Sequence, residues 1–311
     1  MRRSLLLLPL LTVLATAAHA REVVVVLDRS RSAAGAEGAD PGAQLLRAAL
    51  GLAPGRPGEQ LTLLLPDAEP RSVRGPDWNT ALEGLTPATG RRSDLYTALL
   101  DAIGRLRAGG DCVLISDGEL DVVDPVQGLP PGLESRLQLS AGAKRTAVNR
   151  AVLSLLQAEL KEAFHDGQRQ LLFVQLPLDA RARYARLSDV YPQSAFARRR
   201  SFDPKNPLSD LELLVRRLAP QVYVREVAPD AQGVASLRVP PGCREVRLLL
   251  PAGAKPPPGA QLVAEAGAFG QVVRWEAGAA ELKVETPRKT LAVLHFEFQV
   301  EAQTWFVEPS A

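Results

Sequence analysis

Histidine and cysteine are scarce in this 311-residue chain, with three of the first and two of the second. That scarcity removes most familiar catalytic chemistry. His19 lies in the N-terminal leader, which leaves only His165 and His295 for acid–base work. His165 closes a helical stretch beside Asp166-Gly167, where a cationic ring complements the helix dipole. No G-x-S-x-G elbow, H-E-x-x-H helix or phosphate-binding P-loop occurs. A bridge between Cys112 and Cys243 is allowed in an exported protein, but their placement in different segments favours two free thiols.

An excess of one charge is also missing. The chain has 37 Lys and Arg against 35 Asp and Glu, and 35 against 35 once Arg2 and Arg3 are set aside. Such a balance excludes bulk nucleic-acid binding, and the run Arg198-Arg199-Arg200 reads as a solvated loop. Beyond residue 20, no stretch is apolar enough to span a bilayer. The first twenty residues differ. Met1-Arg2-Arg3, an apolar run from Leu5 to Leu11 and the small-residue ending Ala18-His19-Ala20 read as a secretory signal peptide, 1–20, cleaved before Arg21. No cysteine follows that would carry a lipid. The mature chain is expected to be soluble and exported, to the periplasm or beyond the cell.

What is present is concentrated where apolar runs end. Val23-Val24-Val25-Val26-Leu27 has the texture of a strand buried on both faces of a parallel sheet. It stops at Asp28-Arg29-Ser30-Arg31-Ser32, an acid followed by two hydroxyls at alternate positions. A second run, Cys112-Val113-Leu114-Ile115-Ser116, stops at Asp117-Gly118-Glu119. Between them, Gly90-Arg91-Arg92-Ser93 leads into a helix beginning near Leu95. Open α/β sheets place ligand sites beyond the carboxyl ends of their strands. Oxygen donors without sulfur or nitrogen suit Mg²⁺, Mn²⁺ or Ca²⁺.

These three segments resemble the von Willebrand factor A (vWA) domain family, whose metal-ion-dependent adhesion site (MIDAS) uses D-x-S-x-S, a later Thr and a later Asp. The resemblance implies that Asp28, Ser30 and Ser32 stand for the first motif, Ser93 for the Thr and Asp117 for the final Asp. It also implies a metal-dependent binding site for Mg²⁺, or for Mn²⁺ or Ca²⁺. Two acids among five side chains leave ion charge uncompensated and a coordination position open. A carboxylate from a protein partner would fill it, which favours recognition over hydrolysis.

The pattern departs from the family at Arg31, where Gly is common between the serines, and at Arg91-Arg92, where a Gly pair is common. With Arg29, these arginines form a rim that also includes Glu119. A like charge 4 Å from the ion opposes binding by about 4 kcal/mol at an effective dielectric near 20. Alternatively the arginines are themselves the binding surface, suited to carboxylate or phosphate. Three readings follow: a metal-dependent binding protein, a metal-free scaffold or envelope protein with a degenerate site, and a metal-assisted hydrolase.

The organisation expected is a doubly wound α/β domain over 21–227 followed by a small all-β, immunoglobulin-like sandwich over 228–311. Strands are expected at 23–28, 60–65, 112–116, 171–176 and 222–227. Helices are expected at 43–52, 78–85, 95–107, 143–164 and 209–218. Residues 119–142 form an insertion at the metal-proximal strand end, read either as a specificity loop or as a variable surface loop. In the second domain, Leu294, Phe296, Phe298 and Val300 alternate with His295, Glu297 and Gln299. That pattern reads as an antiparallel strand with one wet face.

Overall fold

A computed structural model describes residues 21–30, 32–33, 40–66, 68–85, 94–123, 128–129, 132–137, 143–177, 185–192 and 194–296. The expected signal peptide lies outside the described residues. The first sheet contains β1 (Glu22–Leu27), β2 (Gln60–Leu65), β3 (Ala68–Arg74), β4 (Asp111–Ser116), β5 (Gln170–Gln175) and β6 (Ala197–Ser201), in the order β3-β2-β1-β4-β5-β6. All pairings are parallel except β2 with β3. Strand β3 is largely exposed and carries Pro70, which an edge strand tolerates. It has no apolar run to announce it. Strand β6 holds Arg198 to Arg200, so the expected loop is instead the opposite edge of the sheet.

Helices cover both faces of this sheet. On one lie α1 (Pro41–Leu52) and, much later in the chain, α6 (Pro207–Leu218); on the other lie α2 (Leu95–Arg105) and α4 (Arg145–Ala163). Val23, Val25 and Leu27 pack toward α1 and α6, and Val24 and Val26 toward α2 and α4. The two-residue period of a strand thus feeds two cores from one valine run. Short helices α3 (Leu133–Leu137) and α5 (Leu187–Val190) lie in the connections. The helix expected over 78–85 is a 3-10 helix at Gly75–Leu82. Cys112 and Cys243 are unpaired and buried, and burial pushes their thiols up to about 12 and about 11, so both stay protonated.

The remaining strands are β7 (Tyr223–Val227), β8 (Val234–Arg238), β9 (Cys243–Leu250), β10 (Gln261–Glu265), β11 (Gln271–Glu276), β12 (Glu281–Glu285) and β13 (Thr290–Phe296). They form an antiparallel five-stranded sheet, β10-β11-β9-β13-β7, and a β12-β8 ribbon. Residues 222–227, expected in the first domain, therefore supply an edge of the second sheet.

The expectation of a wet face on the last strand is also corrected. Ala292 and Leu294 pack toward the β8–β12 ribbon, while Leu291 and Val293 share a buried cluster with α1 and α6. The five-stranded sheet is covered on both sides. Glu297, Phe298, Gln299 and Val300 lie outside the described residues.

One consequence falls on His295, expected in water. Its Nε2 lies 3.1 Å from the Leu52 carbonyl, and Arg247 Nη1 donates to the Gly51 carbonyl at 2.7 Å. Both carbonyls belong to the last turn of α1, which has no intrahelical partners for them. Burial, followed by the Arg247 charge, pushes the imidazole down to about 4. It is neutral near pH 7 and donates Nε2–H to Leu52. Because the folded value lies below the unfolded one, this group's stabilising contribution is full above about pH 6.5 and is lost as pH falls toward 4. Acidification from pH 6.5 to 4 should cost the wild type on the order of 2–3 kcal/mol more than His295→Gln. Urea unfolding of both proteins across that range checks it, with the difference between the two curves as the readout; parallel curves would contradict it.

Candidate metal centre

Strands β1 and β4 are neighbours at the centre of the sheet, and the chain winds outward from them in opposite directions. Their carboxyl ends form the switch point where such sheets bind ligands. Asp28 follows β1 directly and is 1% exposed. Its amide donates to the Ile115 carbonyl, which holds it against β4. Its Oδ1 accepts the Ser30 amide at 2.8 Å, and its Oδ2 accepts the Ser116 hydroxyl at 2.6 Å. The Ser116 Oγ in turn accepts the Gly118 amide at 2.8 Å. Gly118 has φ 81° and sits against the Phe173 ring, where a Cβ would come within 3.2 Å. This left-handed residue turns the chain just past Asp117.

Asp117 is fully buried. Its Oδ1 accepts the Glu119 amide at 3.0 Å, while Oδ2 is buried without a hydrogen-bond partner among the described residues. Burial, then the charge of Asp28, pushes this carboxyl up to about 6; the Glu119 amide and the Ser32 hydroxyl oppose the shift. Ser32 thus acts on the Asp117 carboxylate, although no hydrogen bond closes onto Oδ2. The Ser30 and Ser32 hydroxyls lie 3.1 Å apart. Asp28, Ser30, Ser32 and Asp117 are thereby linked in one cluster. Ser93 lies outside the described residues.

The rim differs from expectation at Arg29. Its Nε pairs with Asp40 Oδ2 at 2.7 Å, with both side chains largely buried, so its charge is partnered and its position held. Asp40 is the N-cap of α1, accepting the Ala43 amide on Oδ1, with Pro41 opening the helix. Arg31, Arg91 and Arg92 lie outside the described residues. Glu119 is 8% exposed, and its backbone lies opposite that of Arg186 in an isolated antiparallel β-bridge, with Leu187 N donating to Gly118 O and Leu120 N to Ala185 O.

The described start of the insertion is anchored. Asp121 pairs with Arg145, the Val122 amide donates to Asn149 Oδ1, and Leu120, Val122, Leu133 and Leu137 join the core beneath α2 and α4. Sequence reasoning missed Ser116 and Asp40. The first is a hydroxyl at the end of an apolar strand run; the second precedes a Pro-Gly helix start.

The donor set suits a hard divalent cation. It offers two carboxylates and hydroxyls, all oxygen, with one buried carboxylate oxygen unspent. Among the described residues, no three His, Cys, Asp or Glu side chains gather into a metal-holding group, so a site here depends on its hydroxyls.

Neither a protein-family model nor a curated protein matches the chain. Several solved structures are similar. A von Willebrand factor type A protein from Catenulispora acidiphila is 13% identical, with TM-score 0.36, over 89% of this chain and 58% of that one. The pilus adhesin SpaC from Lactobacillus rhamnosus GG is 11% identical, with TM-score 0.41, over 88% and 39%. Manganese-loaded Plasmodium vivax TRAP protein is 12% identical, with TM-score 0.34, over 71% and 88%. The chain spans about half the length of the first of these structures it matches. The likenesses are distant, and the reading of the site stands on its own residues. In strand order, antiparallel edge strand and helical layers, the first sheet is a doubly wound, Rossmann-like α/β sheet, with an antiparallel module after it.

The raised Asp117 carboxyl has a measurable consequence. Its ionised form destabilises the ion-free fold, fully above about pH 6 and not at all well below the unfolded value near 3.8. In chelator, Asp117→Asn should stabilise the protein at pH 7.5 by on the order of 2–3 kcal/mol and leave it nearly unchanged near pH 4. Urea unfolding at the two pH values checks this; equal stability at both would contradict it.

Proposed function

We propose that this chain is an exported, vWA-type binding protein that holds Mg²⁺, or Mn²⁺ or Ca²⁺, through Asp28, Ser30, Ser32, Ser93 and Asp117. The ion would supply a positive coordination centre, and a carboxylate from a protein partner would complete its shell. One observation carries the reading: Asp117 Oδ2 is buried, unpartnered and close enough to Asp28 for the two charges to oppose each other. A divalent cation would relieve both the repulsion and the unspent oxygen. The partnering of Arg29 by Asp40 supports it further, because one guanidinium of the rim is already neutralised. Binding rather than turnover fits a site whose two carboxylates, Asp28 and Asp117, are both assigned to the ion. No helix among the described residues is long and apolar enough to cross a membrane.

One observation favours the second reading, a metal-free scaffold. Both Asp28 oxygens already accept hydrogen bonds, from Ser30 and Ser116, as they would if Asp28 only ordered the loop. Each carboxylate oxygen has two lone-pair sites, however, so these bonds leave room for an ion.

Calorimetric titration of the mature protein with Mg²⁺ and Mn²⁺ separates the readings. Saturable binding that disappears in Asp28→Ala is expected, as is chelator-sensitive capture of a partner. Removing Asp28 also strands the Ser30 amide and the Ser116 hydroxyl, at a cost of about 1–3 kcal/mol each, offset in part by relief of its repulsion with Asp117. Partner capture unchanged by chelator and by Asp28→Ala would sink the proposal. Turnover of generic phosphate esters would point to the hydrolase.

A further inference from the structure

Ser116 stands where a single side chain serves both carboxylates of the cluster. It ends β4 and is fully buried. Its carbonyl accepts the Leu176 amide at 2.8 Å, which fixes its backbone on the side of β5. Its hydroxyl is turned to the other neighbour, β1, and donates to Asp28 Oδ2 at 2.6 Å. That is the short distance of a hydroxyl bonded to an ionised carboxylate. The same oxygen accepts the Gly118 amide at 2.8 Å. A serine hydroxyl has one proton and two lone pairs, so the amide on one lone pair sets the direction in which the proton leaves toward Asp28.

These two bonds join the loops that carry the ion's side chains. Asp28 opens the loop holding Ser30 and Ser32, and Gly118 is the left-handed residue that turns the chain past Asp117. Asp28 is held at Oδ1 by the Ser30 amide, and Asp117 at Oδ1 by the Glu119 amide. The Ser116 hydroxyl ties the orientation of the first carboxylate to the turn that presents the second. The charges of Asp28 and Asp117 oppose each other. Without the tie, that repulsion favours rotation of Asp28 away from its neighbour.

We propose that Ser116 is a positioning residue of the ion site, setting the spacing of Asp28 and Asp117 and thereby the choice of cation. The inference rests on the metal-binding reading above. Ser116 acts through the two carboxylates and not on the ion itself. Mg²⁺ demands near-ideal octahedral oxygens and Mn²⁺ prefers the same arrangement, whereas Ca²⁺ accepts a larger and looser shell. Carboxylates locked between two strand ends suit the first kind of ion. Loosening Asp28 therefore costs Mn²⁺ more than Ca²⁺. A hydroxyl that only stabilised the end of β4 would, when removed, weaken every ion alike.

Calorimetric titration of the mature protein with Mn²⁺, and with Ca²⁺ in competition against Mn²⁺, tests this in wild type, Ser116→Ala and Ser116→Cys. Ser116→Ala should weaken Mn²⁺ binding about 10–100-fold and Ca²⁺ binding by a clearly smaller factor. Ser116→Cys nearly keeps the side-chain size with a weaker donor, and should fall between the other two. Should the alanine variant fail to fold, the cysteine variant decides alone. Unchanged Mn²⁺ affinity would overturn the inference and leave the metal-binding reading standing, as would equal losses for the two ions. A wild type that binds no Mn²⁺ would overturn that reading, and this inference with it.

Discussion

Helix α1 has almost no solvent side. Leu45, Leu46, Ala48, Ala49, Leu50 and Leu52 are all fully buried, because the six-stranded sheet lies against one flank and the five-stranded sheet against another. Glycines fit it to both. A Cβ on Gly42 would come within 3.2 Å of Leu27, Ile115 and Leu176, and one on Gly51 within 3.2 Å of Val272. The two sheets consequently share one hydrophobic cluster. Each buried leucine of α1 contributes about 1.5–3 kcal/mol, and that stabilisation belongs to both modules at once.

The ends of α1 tie this core to the chemistry. At its start, Asp40 caps the helix with one carboxylate oxygen and holds Arg29 with the other, beside the Asp28 loop. At its end, Arg247 and His295 take up carbonyls that the helix cannot satisfy itself. The Gln44 side chain adds a third link, accepting the Ala268 amide. The geometry of the oxygen cluster at β1 and β4 therefore rests on a helix whose other end is set by the second sheet.

Much of this was legible because apolar runs ending in acids are hard to misread. Val23 to Leu27 and Cys112 to Ser116 announced the central strands, and Asp28 and Asp117 stand at their ends. What escaped was context. Residues 43–52 read as a helix, but the near absence of a polar face, the sign of a helix buried all round, was not used. That sign would have foretold a shared layer in place of a wet face on β13. Alternation at 294–300 identified a strand yet could not say what covered its second face. Strand β3 and the Arg198–Arg200 edge lack the apolar pattern that marks central strands, since edges need bury little. Ser116 and Asp40 act through contacts far apart in sequence, which no local motif encodes.

The proposed function requires a divalent ion held by Asp28, Ser30, Ser32, Ser93 and Asp117. Anomalous diffraction from crystals of the mature protein soaked in Mn²⁺ addresses it directly. The account expects one strong peak at the carboxyl ends of β1 and β4, with oxygen ligands at roughly 2.0–2.6 Å that include a serine hydroxyl. Saturating Mn²⁺ with no peak there, or with peaks only on surface acids, would contradict it.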